Sequence, residues 1–255
     1  MDLGLKDHTV LVTGASSGIG RATAIAFGGE GANVALTYRA NRSGAKETAE
    51  RVGAVGGEAM VVPLDLAEEG SIRAAVDAVV GRWGGIDVLV ANAVEWGAPA
   101  PPWNPPLFEE LPSEQWQRML RTSVDGAFHT VQAVLPSMRE RGWGRIVMLS
   151  SGSVEYGMPG GGAYGAAKAA LHGLGRSLAR ELGPGGILVN VVMPGLVVTE
   201  RNLKAIPEQV RDTVATESPS GRLSVPEDVA AAIVFLASKA NGNTTGEILR
   251  VAGGM

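Results

Sequence analysis

Residues 8–27 read HTVLVTGASSGIGRATAIAF. The apolar run from Thr9 to Val12 has the character of a buried strand, and the stretch from Ile19 to Phe27 that of a helix. Between them Gly14, Gly18 and Gly20 form a strand-to-helix turn whose backbone can approach a ligand closely. The helix start behind it offers unpaired N–H groups and the positive end of a dipole, which suits a pyrophosphate. Gly14, Ser16, Ser17, Gly18, Ile19 and Gly20 are therefore candidate cofactor-binding residues. The spacing is T-G-x-x-x-G-x-G and not G-x-G-x-x-G, so on this stretch alone a tight turn without a ligand stays open.

Outward from this turn, strand-like and helix-like segments alternate as repeated βα units. Strands are expected near 8–13, 33–38, 59–64, 86–91, 145–150, 187–193 and 247–251, with helices near 18–29, 42–53, 70–83, 114–140, 161–182 and 226–239. Leu188, Val189, Val191 and Val192 read as a parallel strand covered on both faces. These segments predict an α/β fold. It is one Rossmann-like, doubly wound domain over residues 1–255, with helices on both faces of a seven-stranded, mostly parallel sheet. Ligands collect at the carboxyl ends of such strands, and the glycine turn, Asp65, Asn92, Ser151 and Pro194 all follow strands.

Composition sets limits. The 255 residues suffice for one large domain. A formal charge of −4 argues against a nucleic-acid surface. With no cysteine, disulfides, thiolate metal sites and a cysteine nucleophile are excluded. The opening MDLGLKDHT lacks the apolar core of a secretory leader, and no apolar run reaches membrane-spanning length. A cytoplasmic protein with no membrane partner is expected. His8, His129 and His172 show no metal-ligand spacing, so no metal is assigned.

Tyr164 and Lys168, in AYGAAKAAL, are spaced to lie on one helix face a turn apart. Ser151 ends the apolar run RIVMLSS. A tyrosine is a poor acid at neutral pH; a neighbouring cation favours its phenolate and lowers its pKa. A hydroxyl nearby can hold the reacting oxygen. The three together predict proton transfer to or from a carbonyl or alcohol oxygen.

TGASSGIG, the Ala91-Asn92-Ala93 run, Ser151, the YGAAK of Tyr164 to Lys168, and MPGLVVT from Met193 to Thr199 resemble the short-chain dehydrogenase/reductase family. The likeness runs from about His8 to Gly254, nearest to the 3-oxoacyl carrier-protein reductases and related ketoreductases. The resemblance implies a nicotinamide cofactor, hydride transfer to a carbonyl, and a homotetramer. It places Asp65, Leu66, Asn92, Ala93, Pro194, Gly195, Val197 and Thr199, with Tyr164 and Lys168, against the cofactor. Asp65 also reads as an N-cap for the helix after it. Where NAD-users carry an acid, at the end of the second strand, this chain has Tyr38 followed by Arg39. A guanidinium serves a 2′-phosphate well, so NADP(H) is favoured over NAD(H), although Ser17 stands where NADP-users often carry a basic residue.

Three positions depart from the family pattern. Ser123 replaces an asparagine assigned to the proton relay, where it is thought to bend its helix and free a carbonyl for a water. Serine can bend a helix by bonding back to the preceding turn. Val94 replaces a glycine, and Ala252 an aspartate. Residues 94–112 hold six of the fourteen prolines, with Trp96 and Trp103, a stiff stretch that reads as a pocket wall or as an interface loop. Residues 199–223 are a candidate substrate lid. Trp96, Ser153, Tyr156 and Met158 are candidate substrate contacts, and Ser151, Tyr164, Lys168 and Ser123 candidate catalytic residues. The expected function is NADPH-dependent reduction of a small-molecule ketone to a secondary alcohol. The alternatives are an alcohol dehydrogenase working oxidatively and a cofactor-binding scaffold without turnover.

Overall fold

The computed structural model describes residues 2–95 and 107–255. Trp96, Trp103 and most of the proline-rich stretch lie outside the described residues. Seven strands form one sheet: β1 (Thr9–Val12), β2 (Asn33–Tyr38), β3 (Glu58–Pro63), β4 (Val88–Ala91), β5 (Gly144–Leu149), β6 (Ile187–Pro194) and β7 (Ile248–Val251). Their order is β3-β2-β1-β4-β5-β6-β7, and every pairing is parallel. The chain winds outward in one direction from β1 and in the other from β4. The carboxyl ends of those two neighbours are thus the switch point where ligands settle in such sheets.

The strands alternate their side chains between two apolar layers. Val10, Val12, Val34, Leu36, Val90 and Val147 bury one face against Phe27 of α1 (Gly18–Gly29) and Ile233 of α10 (Pro226–Leu236). Leu11, Ala35, Leu89, Ile146 and Met148 bury the other. That second layer packs on α3 (Glu69–Trp83), α5 (Gly126–Arg141) and α7 (Gly162–Leu182) through Val79, Val134 and Leu171. Helix α2 (Arg42–Ala54) follows β2, its first turn capped by the Asn41 side chain.

Two expected helices differ. The segment expected near 114–140 is α4 (Ser113–Leu120), a π-turn over Arg121–Asp125, and then α5. The helix expected near 226–239 ends at Leu236, where the amide of Ala237 closes the last turn and Ser238 bonds back to Phe235. Between β5 and α7 lies the single turn α6 (Ser153–Tyr156), and the candidate lid folds as α8 (Glu200–Ala205) and α9 (Glu208–Glu217). Asp65 does not cap α3, which starts at Glu69 behind Glu68; its carboxylate accepts from the Ala67 amide at 2.9 Å in a local turn.

Candidate active site

The glycine turn is built to leave its outer side open. Gly14 and Gly18 take φ values of +68° and +54°, which disfavour side chains. A Cβ on Gly20 would lie 2.3 Å from the Gly14 carbonyl oxygen, so only glycine lets α1 start this close to β1. Thr13 Oγ1 accepts from the amides of Asn92 and Ala93 at 3.0 and 2.9 Å and locks β4 to the turn. Asn92 Nδ2 donates to the carbonyls of Thr13 and Gly14 at 2.8 and 3.2 Å. The asparagine expected at the ribose thus also shapes the glycine turn.

Ser17 is the N-cap of α1 and makes no side-chain cap bond, which leaves the first-turn amides to an anion. A Cβ on Gly18 would meet Thr199 Cγ2 at 3.4 Å, which brings the start of the lid to the turn. Thr199 caps α8, and Arg21 joins the two elements by donating to the Ser16 carbonyl at 2.9 Å and to Glu200 at 3.0 Å. An extended dinucleotide fits this cradle. Its pyrophosphate would meet Ser16 to Gly20, and its ribose and base the ends of β2, β3 and β4, where Arg39, Asp65, Leu66 and Ala93 sit. Pro194 ends β6, and Gly195 and Val197 follow it on the other side. The Pro194 carbonyl accepts from Gly152 at 2.8 Å, and Ala252 fills the space against Gly195.

Ser151, Tyr164 and Lys168 converge beside this cradle. Ser151 Oγ accepts from the amide and hydroxyl of Ser153 at 3.3 and 3.0 Å, so the buried Ser153 orients Ser151. A hydrogen bond joins Ser151 to the Tyr164 phenol. Lys168, 4% exposed, lies with Nζ 5.9 Å from the Tyr164 ring centre and donates to the Leu149 carbonyl at 2.6 Å. Burial pulls its pKa down to about 8. The expected lowering of Tyr164 does not hold: burial pushes its phenol up to about 12, with Ser151 and the Arg201 cation opposing. Burial outweighs these opposing contributions and favours the protonated phenol, the form a proton donor needs.

Ser123 is 5% exposed and lies in the π-turn, where the Gly126 amide reaches back to Arg121 instead of one residue later. Its hydroxyl does not bond to a carbonyl of the preceding turn. It points to Met119 Sδ at 3.7 Å, while Thr122 bonds the Arg118 and Met119 carbonyls. A cavity of about 10 Å³ lies between Ser123 and Lys168, bordered also by Thr13, Leu66 and Thr130. This is close to the smallest space that accepts one water.

Tyr156 and Met158 are 68% and 43% exposed at the mouth of the site. Three further residues near the site were not singled out by the sequence, although they lie in the 94–112 and 199–223 stretches. Phe108 is exposed and comes within 3.7 Å of where a Cβ on Gly162 would stand. Arg201, in the first turn of α8, is near enough to the Tyr164 phenol to influence it. Glu95, just after β4, pairs with Arg39 at 2.9 Å and with Arg118 of α4. A carboxylate directly behind the altered Asn92-Ala93-Val94 run was the one available hint.

The family model described as enoyl-(acyl carrier protein) reductase matches residues 14–255. The 3-oxoacyl-[acyl-carrier-protein] reductase FabG of Staphylococcus aureus is 34% identical over 247 residues, 97% of each chain. The L-rhamnose 1-dehydrogenase (NAD(P)(+)) of Azotobacter vinelandii is 39% identical over 256 residues, 98% of this chain and 97% of that one. Among solved structures, a 7α-hydroxysteroid dehydrogenase complexed with NADH and 7-oxo glycochenodeoxycholic acid superposes with a TM-score of 0.91. It is 31% identical and covers 99% of this chain and 96% of its own. The chain belongs to the short-chain dehydrogenase/reductase family.

Proposed function

We propose that the protein reduces a ketone to a secondary alcohol with NADPH. The observation that carries this reading is the convergence of Ser151, Tyr164 and the buried Lys168 beside a glycine cradle at the sheet's switch point. When bound, the nicotinamide supplies a hydride to the carbonyl carbon. Ser151 holds the carbonyl oxygen and Tyr164 delivers its proton to it, so the oxygen stays on the carbon as the hydroxyl of the alcohol. Lys168 binds the nicotinamide ribose and favours the phenolate left on Tyr164, which is then reprotonated through the small cavity beside Ser123. Arg39 takes the 2′-phosphate. Tyr156, Met158 and Ser153 border the substrate; Trp96, the other expected contact, lies outside the described residues. No helix among the described residues is long and apolar enough to cross a membrane; we place the enzyme in the cytoplasm as a homotetramer.

The rhamnose dehydrogenase relative favours a second reading, oxidation of a sugar hemiacetal or secondary alcohol by the same residues in reverse. The test is one panel of 3-oxoacyl thioesters, enoyl thioesters and cyclic ketones with NADPH, and of aldoses and secondary alcohols with NADP⁺, followed at the nicotinamide absorbance. Turnover of ketones and not of aldoses is expected. Turnover confined to enoyl thioesters or to aldoses would overturn the proposal.

A further inference from the structure

Glu95 stands where the chain leaves β4, and its side chain is 11% exposed. One carboxylate oxygen accepts from Arg39 Nη1 at 2.9 Å; the other pairs with Arg118 Nη2 of α4. Both arginines reach water, with side chains 49% and 65% exposed. The three residues come from the ends of β2 and β4 and from the helix before the π-turn. They carry two positive charges and one negative.

We infer that Glu95 sets the cofactor preference of this chain, by competing for Arg39 with the 2′-phosphate. The inference rests on the reading that Arg39 marks the adenine ribose. A carboxylate that is nearly buried is costly to leave unpaired. If Glu95 had Arg39 alone, a phosphate claiming that guanidinium would strand it. Arg118 removes the difficulty, because the carboxylate keeps one cation when Arg39 turns to the phosphate. The exchange is then permitted but not free: the phosphate meets a negative neighbour that a ribose hydroxyl does not feel. Glu95 therefore holds the preference for NADPH below what Arg39 would give by itself. Arg118 sets how readily Arg39 is released. Specificity of this kind comes from a repulsive group as much as from an attractive one.

The test is binding without substrate. Dissociation constants for NADPH and NADH are measured by calorimetry at one ionic strength for the wild type, Glu95→Gln and Arg118→Gln. Glu95→Gln keeps the shape and removes the charge, and it should raise the preference for NADPH over NADH by about tenfold. Arg118→Gln leaves Glu95 with Arg39 alone and should lower that preference by a similar factor. A ratio that stays within about twofold of wild type in Glu95→Gln, or one that falls, would overturn the inference. If Glu95→Gln does not fold, the ratio in Arg118→Gln decides by the same criterion. A wild type that binds neither nucleotide would overturn the dinucleotide site itself, and the inference with it. A wild type that prefers NADH, with both shifts as expected, would refute only the proposed cofactor and leave Glu95 in its role.

Discussion

Tyr164 and Lys168 respond oppositely to pH. In the folded chain Lys168 falls from 10.5 to about 8 by burial. Between those values the unfolded chain keeps a proton that the folded chain has released, so stability rises with pH through that window. That contribution is lost as pH falls through 8. Tyr164, raised from 10.0 to about 12, contributes below pH 10 and loses its contribution as pH rises through 12. Denaturant unfolding of the cofactor-free protein between pH 8 and 10 should show the wild type gaining about 1 kcal/mol per pH unit relative to Lys168→Met. Equal pH slopes for the two proteins would show that Lys168 is not desolvated as described. The partners in this site were legible from the spacing of Tyr164 and Lys168, but the sign of the phenol's shift was not. That sign depends on how deeply the Tyr164 phenol is buried, which outweighs its hydrogen bond to Ser151, and spacing records neither.

Glycine and serine have their effects at the level of elements. The βα alternation and the glycine turn were legible because strand burial and close backbone approach are written in residue type. Gly20 illustrates it: alanine there would press its Cβ into the Gly14 carbonyl, at 2.3 Å. Gly20→Ala should cost about 1–3 kcal/mol in thermal unfolding and weaken dinucleotide binding. Wild-type melting and affinity in that variant would mean the turn is looser than described. The π-turn was not legible, because no residue type demands one. The back-bonding expected of Ser123 is made by Thr122, whose hydroxyl donates to the Arg118 and Met119 carbonyls. If the backbone and not the hydroxyl serves the relay, Ser123→Ala should raise the barrier by about 1 kcal/mol or less, and Ser123→Asn should keep or modestly raise turnover. A hundredfold loss in Ser123→Ala, with NADPH affinity intact, would assign the proton to the hydroxyl (about 10²-fold being the lower range for a general acid-base group).

For the molecule as a whole, apolar side chains remain exposed on the surfaces assigned to assembly. Phe128 of α5, Phe235 of α10 and Leu249 of the edge strand β7 are 44%, 39% and 39% exposed. Helix α7, rich in small residues, is expected to meet its copy across a two-fold axis, and β7 with the chain end to form the second contact. Light scattering at micromolar concentration should give four times the 26.3 kDa chain mass; a monomer would leave those small residues to intrachain packing. The central claim, that Tyr164 gives a proton to a carbonyl reduced by NADPH, is tested most directly by one paired measurement. Single-turnover reduction of a ketone is compared in wild type and Tyr164→Phe, alongside the NADPH dissociation constant of each. The account predicts a loss of at least about 10²-fold in turnover with affinity changed by no more than about twofold; near wild-type turnover in Tyr164→Phe would contradict it.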